Sequence, residues 1–192
     1  MHKDDVMAPL VTKRLINVDE YYKMAEIGVL KPTENVELIN GEIYNKVPKS
    51  SLHAAVRNHF STLLYQALNY DHNVRIQNPV RIDQWNEPEP DLVLIKYRND
   101  HYIDAHPIPA EVLIIIEISD TSYEFDRNIK LPLYASAGIP VYWIIDLNEN
   151  CIEVYEEPQD YQYLQRTFYT SGDQIIFMDK PFDVAEILLM EC

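Results

Sequence analysis

The chain has 192 residues, with 16 Lys and Arg against 31 Asp and Glu, and a formal net charge of −15. That length corresponds to one domain, and 47% apolar with 24% charged residues is the balance of a packed globular protein, which excludes a disordered one. The acidity speaks against a dedicated nonspecific nucleic-acid coat, since phosphates are neutralised by Lys and Arg, although a local basic patch can coexist with an acidic remainder.

Val112 to Ile116, an apolar run unsurpassed in length in the chain, is five residues and is closed by Glu117, far short of the roughly 20 residues that span a bilayer. The opening Met1-His2-Lys3-Asp4-Asp5 has no apolar signal segment. Cys151 and Cys192 are the only cysteines, too few for a disulfide framework or a zinc site. A reducing cytoplasm is the expected location.

Residues 1–14 lack periodicity and are expected to form a loose N-terminal arm. No linker divides residues 15–192, which read as a single domain. Asn17-Val18-Asp19-Glu20 has the form of a capping box, predicting a short helix over 18–27 that Gly28 stops. Asn40-Gly41 lies between Val36-Glu37-Leu38-Ile39 and Glu42-Ile43-Tyr44, the strongest short signal for a hairpin. From Ser51 to about Asn69 the apolar positions His53, Val56, Phe60, Leu63, Leu64 and Ala67 fall on one face of a long helix.

Val74 to Gln77 and Val80 to Asp83 alternate like half-exposed strands, interrupted by Pro79. Leu92 to Ile95, Val112 to Ile118 and Val141 to Ile145 are unbroken β-type runs, as expected of strands covered on both faces. Ser122 to Ala137 reads as a helix ended by Gly138, with Pro132 in conflict: either the helix starts late, near Asn128, or it kinks there. Ile152 to Tyr155, Tyr161 to Tyr169 and Gln174 to Phe177 add strands, and Val184 to Met190 a final short element. Strands on both sides of two long helices predict an α/β or α+β domain with a mixed sheet.

Three acids sit on or beside apolar strands: Glu37 in the hairpin, Asp91 after Pro90, and Glu117 after Ile116. A carboxylate at the end of a buried strand is costly unless something positive compensates it. Mg²⁺ does so directly, taking one or two carboxylates and completing its shell with water and phosphate oxygens. A lysine nearby can hold a nucleophilic water or stabilise charge developing on phosphate. Taken singly, each of these residues has an ordinary structural role as well: an acid at a strand end in water, a hydrogen-bonded core histidine at His53, a surface lysine at Lys130.

The ordered set is more informative. Glu37-Leu38-Ile39-Asn40-Gly41-Glu42, His53, Pro90-Asp91-Leu92-Val93, Ile116-Glu117-Ile118-Ser119, Asp126 with Lys130 and Tyr134, Gly138-Ile139 and Tyr142 to Asp146 together resemble the Uma-two family of restriction endonuclease-like proteins, common in cyanobacteria. The resemblance runs from about Val18 to Tyr155. It implies a PD-(D/E)xK nuclease-like core, a mixed sheet flanked by helices with acids on two adjacent central strands.

On that resemblance Asp91 and Glu117 are the metal-binding acids. Ser119 stands where the usual lysine would be, and Lys130 on the following helix takes its place. Asp126, Lys130 and Tyr134 are spaced to share one helical face. Glu37 would hold a second metal or a water, or orient Lys130. His53 would contact phosphate or orient an acid.

The expected function is Mg²⁺-dependent hydrolysis of DNA phosphodiesters, with Mn²⁺ as substitute, by a homodimer, since two cuts in a duplex need two sites and symmetric dimers are the commonest oligomers. Lys46, Lys49, Arg57, Arg75 and Arg81 could gather into a basic patch around the site. The alternatives are a non-catalytic binding protein on the same fold, and a phosphohydrolase acting on a smaller ester.

Overall fold

A computed structural model of the chain describes residues 12–68 and 72–190. Most of the expected N-terminal arm, Asn69 at the end of the expected long helix, and Cys192 therefore lie outside the described residues. Helix α1 (Val18–Glu26) starts on the anticipated capping box. Asn17 Oδ1 accepts the Glu20 N–H at 2.9 Å, and Glu20 Oε2 accepts the Asn17 N–H at 3.2 Å.

Strands β1 (Val36–Ile39) and β2 (Glu42–Asn45) form an antiparallel hairpin. Its turn has φ of 53° at Asn40 and 72° at Gly41, the left-handed pair that a two-residue primed turn needs. At Gly41 space is also limiting: a Cβ there would lie 2.6 Å from Leu15 Cβ.

Helix α2 (Ser51–Ala67) is capped by Ser50, whose Oγ accepts the His53 N–H at 3.1 Å. Its His53, Val56, Phe60 and Leu64 are buried, as the periodicity requires. The main sheet has the order β3-β4-β5-β6-β7-β8, comprising β3 (Asn73–Ile76), β4 (Leu92–Ile95), β5 (Val112–Ser119), β6 (Val141–Asp146), β7 (Cys151–Gln159) and β8 (Gln162–Thr170). Only β5 and β6 run parallel; the other neighbours are antiparallel, so the sheet is mixed. A small hairpin of β9 (Gln174–Phe177) and β10 (Lys180–Asp183) leads into α5 (Val184–Ile187).

The two faces of the sheet carry separate cores. Leu92, Leu94, Ile114, Ile116, Ile118 and Trp143 pack with Val56, Phe60 and Leu64 of α2. Val93, Ile95, Ile115, Tyr142 and Ile144 pack with Ile39 of the hairpin and with Leu131, Leu133 and Tyr134. Burial on both sides explains why these strands read as continuous apolar runs.

The structure departs from the sequence reading in two places. Val80 to Asp83 is not a strand. Pro79 offers no N–H to a ladder, and the following donors are satisfied locally: Val80 N–H by Pro88 O and Ile82 N–H by Asn86 O, each at 3.0 Å. The segment folds back as a loop and clasps β1, with Glu87 N–H donating to Leu38 O at 2.8 Å.

The second departure concerns Pro132. Helical structure neither starts late nor breaks: α3 (Tyr123–Phe125) passes through a π turn (Asp126–Lys130) into α4 (Leu131–Ser136). Proline clashes with the carbonyl four residues back in a regular α-helix. The wider π turn re-phases the helix just before it, so Pro132 falls in the first turn of α4.

Candidate active site

The central pair β4 and β5 is antiparallel with Leu92 opposite Ile116. Continuing that register by one residue sets Asp91 opposite Glu117. The two acids are tied to each other's backbones: Asp91 N–H donates to Glu117 Oε2 at 3.2 Å, and Ile118 N–H to Asp91 Oδ2 at 3.1 Å. Both side chains are buried. They line a cavity of about 190 Å³ together with Glu37, His53, Asp126 and Lys130.

Glu117 is two residues after Ile115, so it faces the α4 side of the sheet. There the π turn delivers Lys130. Its Nζ lies 3.0 Å from Glu117 Oε1, 3.1 Å from Glu37 Oε1 and 3.8 Å from Asp126 Oδ1. Tyr134 Oη also donates to Glu117 Oε1, at 3.0 Å. The other oxygen of Glu37 accepts the Glu89 N–H at 3.0 Å, which anchors the hairpin acid to the segment leading into Asp91. Ser119, in the position expected to lack a lysine, donates instead to Asp126 Oδ2 at 2.8 Å.

Asp91 is held from the other flank. His53 Nε2 is 2.9 Å from Oδ2, and Lys49 Nζ contacts Oδ1. His53 Nδ1 is buried with no hydrogen-bond partner. Burial alone would raise the Asp91 pKa, but His53 and Lys49 outweigh it and hold the carboxyl well below the usual range. Glu117 goes the other way: burial, helped by Asp126, Asp91 and Glu37, pushes it up to about 8 despite Lys130. Burial likewise raises Asp126. Burial by itself would lower Lys130, yet Glu117, Glu37 and Asp126 drive its pKa well above the ordinary lysine value. Acids outnumber the ammonium and favour its charged form.

A model of the Uma2 family, described as "Putative restriction endonuclease", matches residues 18–181. The chain belongs to the Uma2 family. No curated protein matches it. Among solved structures, the crystal structure of "a putative nuclease belonging to DUF820 from Anabaena variabilis" aligns with a TM-score of 0.68 at 13% identity, covering 91% of this chain and 98% of that one. At such identity the likeness bears on the fold.

All five site residues expected from sequence, Glu37, His53, Asp91, Glu117 and Lys130, line the same cavity of this Uma2 domain. Of the two readings of the basic residues, a patch at the site or scattered surface charges, the first holds only for the lysines. Lys46 and Lys49 reach the cavity, but Arg75 lies beside Asn78 and His106, Arg81 pairs with Glu87, and Arg57 turns to Asn58. Each arginine is held where a local acceptor or acid lies near its own strand, loop or helix turn. Sequence reasoning gave Lys49 no role at Asp91. It entered only as one member of a possible basic patch, and its position, one residue before the cap of the helix that carries His53, was the signal that could have singled it out.

Among the described residues no group of three or more His, Cys, Asp and Glu side chains is arranged to hold a metal. No helix among the described residues is long and apolar enough to cross a membrane.

Proposed function

We propose that this Uma2 protein is a Mg²⁺-dependent nuclease, accepting Mn²⁺ in its place, that hydrolyses phosphodiester bonds of DNA in the cytoplasm as a homodimer. The observation that supports it best is the convergence of Asp91 and Glu117, from adjacent central strands, with Lys130 in one cavity. The donor set fits a hard divalent cation. It offers carboxylate oxygens from two buried acids, Asp91 and Glu117, with Glu37 and Asp126 lining the same cavity. Two carboxylates are enough for Mg²⁺, which keeps several waters. When bound, such an ion supplies Lewis acidity and lowers the pKa of a coordinated water.

The side chains do the rest. Asp91 and Glu117 would hold the ion, with His53 fixing the orientation of Asp91 through the 2.9 Å contact. Lys130 places a fixed positive charge where charge develops on the phosphate and where an attacking water would be held. Glu37 keeps that ammonium aimed into the cavity, at 3.1 Å.

The test is cleavage of supercoiled and single-stranded DNA with Mg²⁺ or Mn²⁺. Wild type should cut, and Asp91→Ala should lose at least about 10²-fold in rate, the scale of one lost electrostatic element. Cleavage that survives both chelation and Asp91→Ala refutes the proposal. A light-scattering mass of one chain at micromolar protein refutes the dimer.

One observation favours a second reading. The arginines do not form a track leading to the cavity, and Lys46 and Lys49 are already paired with Glu89 and Asp91. A small cavity without such a track also suits a smaller phosphate ester. Hydrolysis of bis(p-nitrophenyl) phosphate with no cleavage of DNA would select that reading.

A further inference from the structure

Asp91 has both carboxylate oxygens engaged. Oδ2 is held by His53 Nε2 at 2.9 Å and by the Ile118 N–H at 3.1 Å. These partners belong to the framework, one on the buried face of α2 and the other on the β5 backbone. Oδ1 is held by Lys49, and Lys49 is a different kind of partner. It lies in the segment between β2 and α2, outside any helix or strand. Its side chain is 21% exposed against 4% for Asp91. Gln77 Nε2 is a distant second contact on Oδ1, at 3.4 Å.

A divalent ion that takes Asp91 as ligand needs one of these oxygens. Two cations on a single buried carboxylate repel each other strongly. Of the partners, only the Lys49 ammonium can leave without moving a strand or a buried helix face. A lysine suits that role, since its charge is a hydrated point on a flexible four-carbon stem with rotatable donors. Lys130 cannot play it, being buried and held by three acids. Nor can Lys46, whose side chain is only 7% exposed and whose Nζ is 3.0 Å from both Glu89 Oε2 and Glu89 O.

We infer that Lys49 is an exchangeable cation: its ammonium neutralises Asp91 in the metal-free protein, yields that oxygen when a divalent ion binds, and then pairs with a phosphodiester oxygen of the substrate at the cavity mouth. The inference rests on the metal-dependent reading above and adds a consequence of unusual sign. Removing Lys49 should tighten metal binding while weakening substrate binding. A lysine that merely braces the structure would, on removal, leave metal affinity unchanged or lower it.

The test is titration calorimetry with Mn²⁺ alone on wild type, Lys49→Ala, Lys49→Gln, Lys49→Arg and Lys96→Ala, each checked for folding by circular dichroism. Lys49→Ala should bind Mn²⁺ about tenfold more tightly than wild type, the scale of one charge-assisted hydrogen bond. Lys49→Gln should behave likewise and stands in if the alanine variant does not fold. Lys49→Arg should restore wild-type affinity, and Lys96→Ala, at an exposed lysine away from the cavity, should leave it unchanged. In Ca²⁺ in place of Mn²⁺, duplex DNA followed by fluorescence anisotropy should bind Lys49→Ala several-fold more weakly than wild type.

Mn²⁺ binding by wild type with equal or weaker binding by Lys49→Ala overturns the exchange and leaves the metal-dependent reading standing. Failure of both proteins to bind Mn²⁺ overturns the two together. Tighter Mn²⁺ binding with unchanged DNA binding overturns the phosphate half of the inference.

Discussion

Replacing Lys130 with Met keeps the length of the side chain and removes its charge. The Lys130 ammonium is 3.0 Å from Glu117 and 3.1 Å from Glu37. At an effective dielectric of about 20, each such contact is worth about 5 kcal/mol of gross attraction when the carboxyl is ionised. Desolvation of the lysine offsets most of that sum, and removing one partner of a buried ionic cluster costs about 3–5 kcal/mol net. That is a large part of the roughly 5–15 kcal/mol that holds a typical domain together. The variant should therefore remain folded at low temperature but show a clearly lower midpoint in urea.

The origin of the loss can be checked with a second substitution. Glu117→Gln removes one of the acids that Lys130 serves, so the double variant Lys130→Met/Glu117→Gln should lose less than the sum of the single losses, by at least about 1 kcal/mol. A loss below about 1 kcal/mol for Lys130→Met, or additive losses in the double variant, would refute the electrostatic account of the cluster. Lys130 would then be a packing residue.

Gly41→Ala should destabilise the protein by about 1–2 kcal/mol, the cost of a left-handed conformation in a residue with a Cβ, because φ there is 72° and Leu15 blocks the added atom; a denaturation midpoint equal to wild type would count against the turn as described. His106 should make the fold acid-sensitive. Burial, with Arg75 and Arg81 adding to it against Glu87, holds its pKa below 6.5, so the unfolded chain takes up the proton first. Its contribution to stability is full above about pH 6.5 and is lost as pH falls through the lower folded value. Denaturation midpoints of His106→Gln should accordingly fall less than those of wild type between pH 8 and pH 5.5.

Much of the architecture is written locally. The Asn17–Glu20 capping box, the Asn40-Gly41 turn and the face of α2 each depend on contacts within a few residues, and each appears where the sequence places it. Apolar runs at 92–95 and 112–116 mark strands buried on both faces, where a polar side chain has no water to face. Acids at the ends of such runs then stand out, and Asp91 and Glu117 were legible for that reason. Lys130 and His53 were legible only through the ordered resemblance, since a lone lysine or a histidine on an apolar face has an ordinary structural reading.

Long-range geometry decided the rest. Pro132 forbids a regular helix but does not choose among a late start, a kink and a π turn; packing of Leu131, Leu133 and Tyr134 against the sheet settles on the π turn and so aims Lys130. The alternation over Val80 to Asp83 looks like a strand, yet its donors find closer partners in Pro88 and Asn86. Lys49 meets Asp91 across 42 positions of sequence. Residues so far apart are joined by the register of β4 on β5 and the placement of α2, and neither is encoded in any one segment.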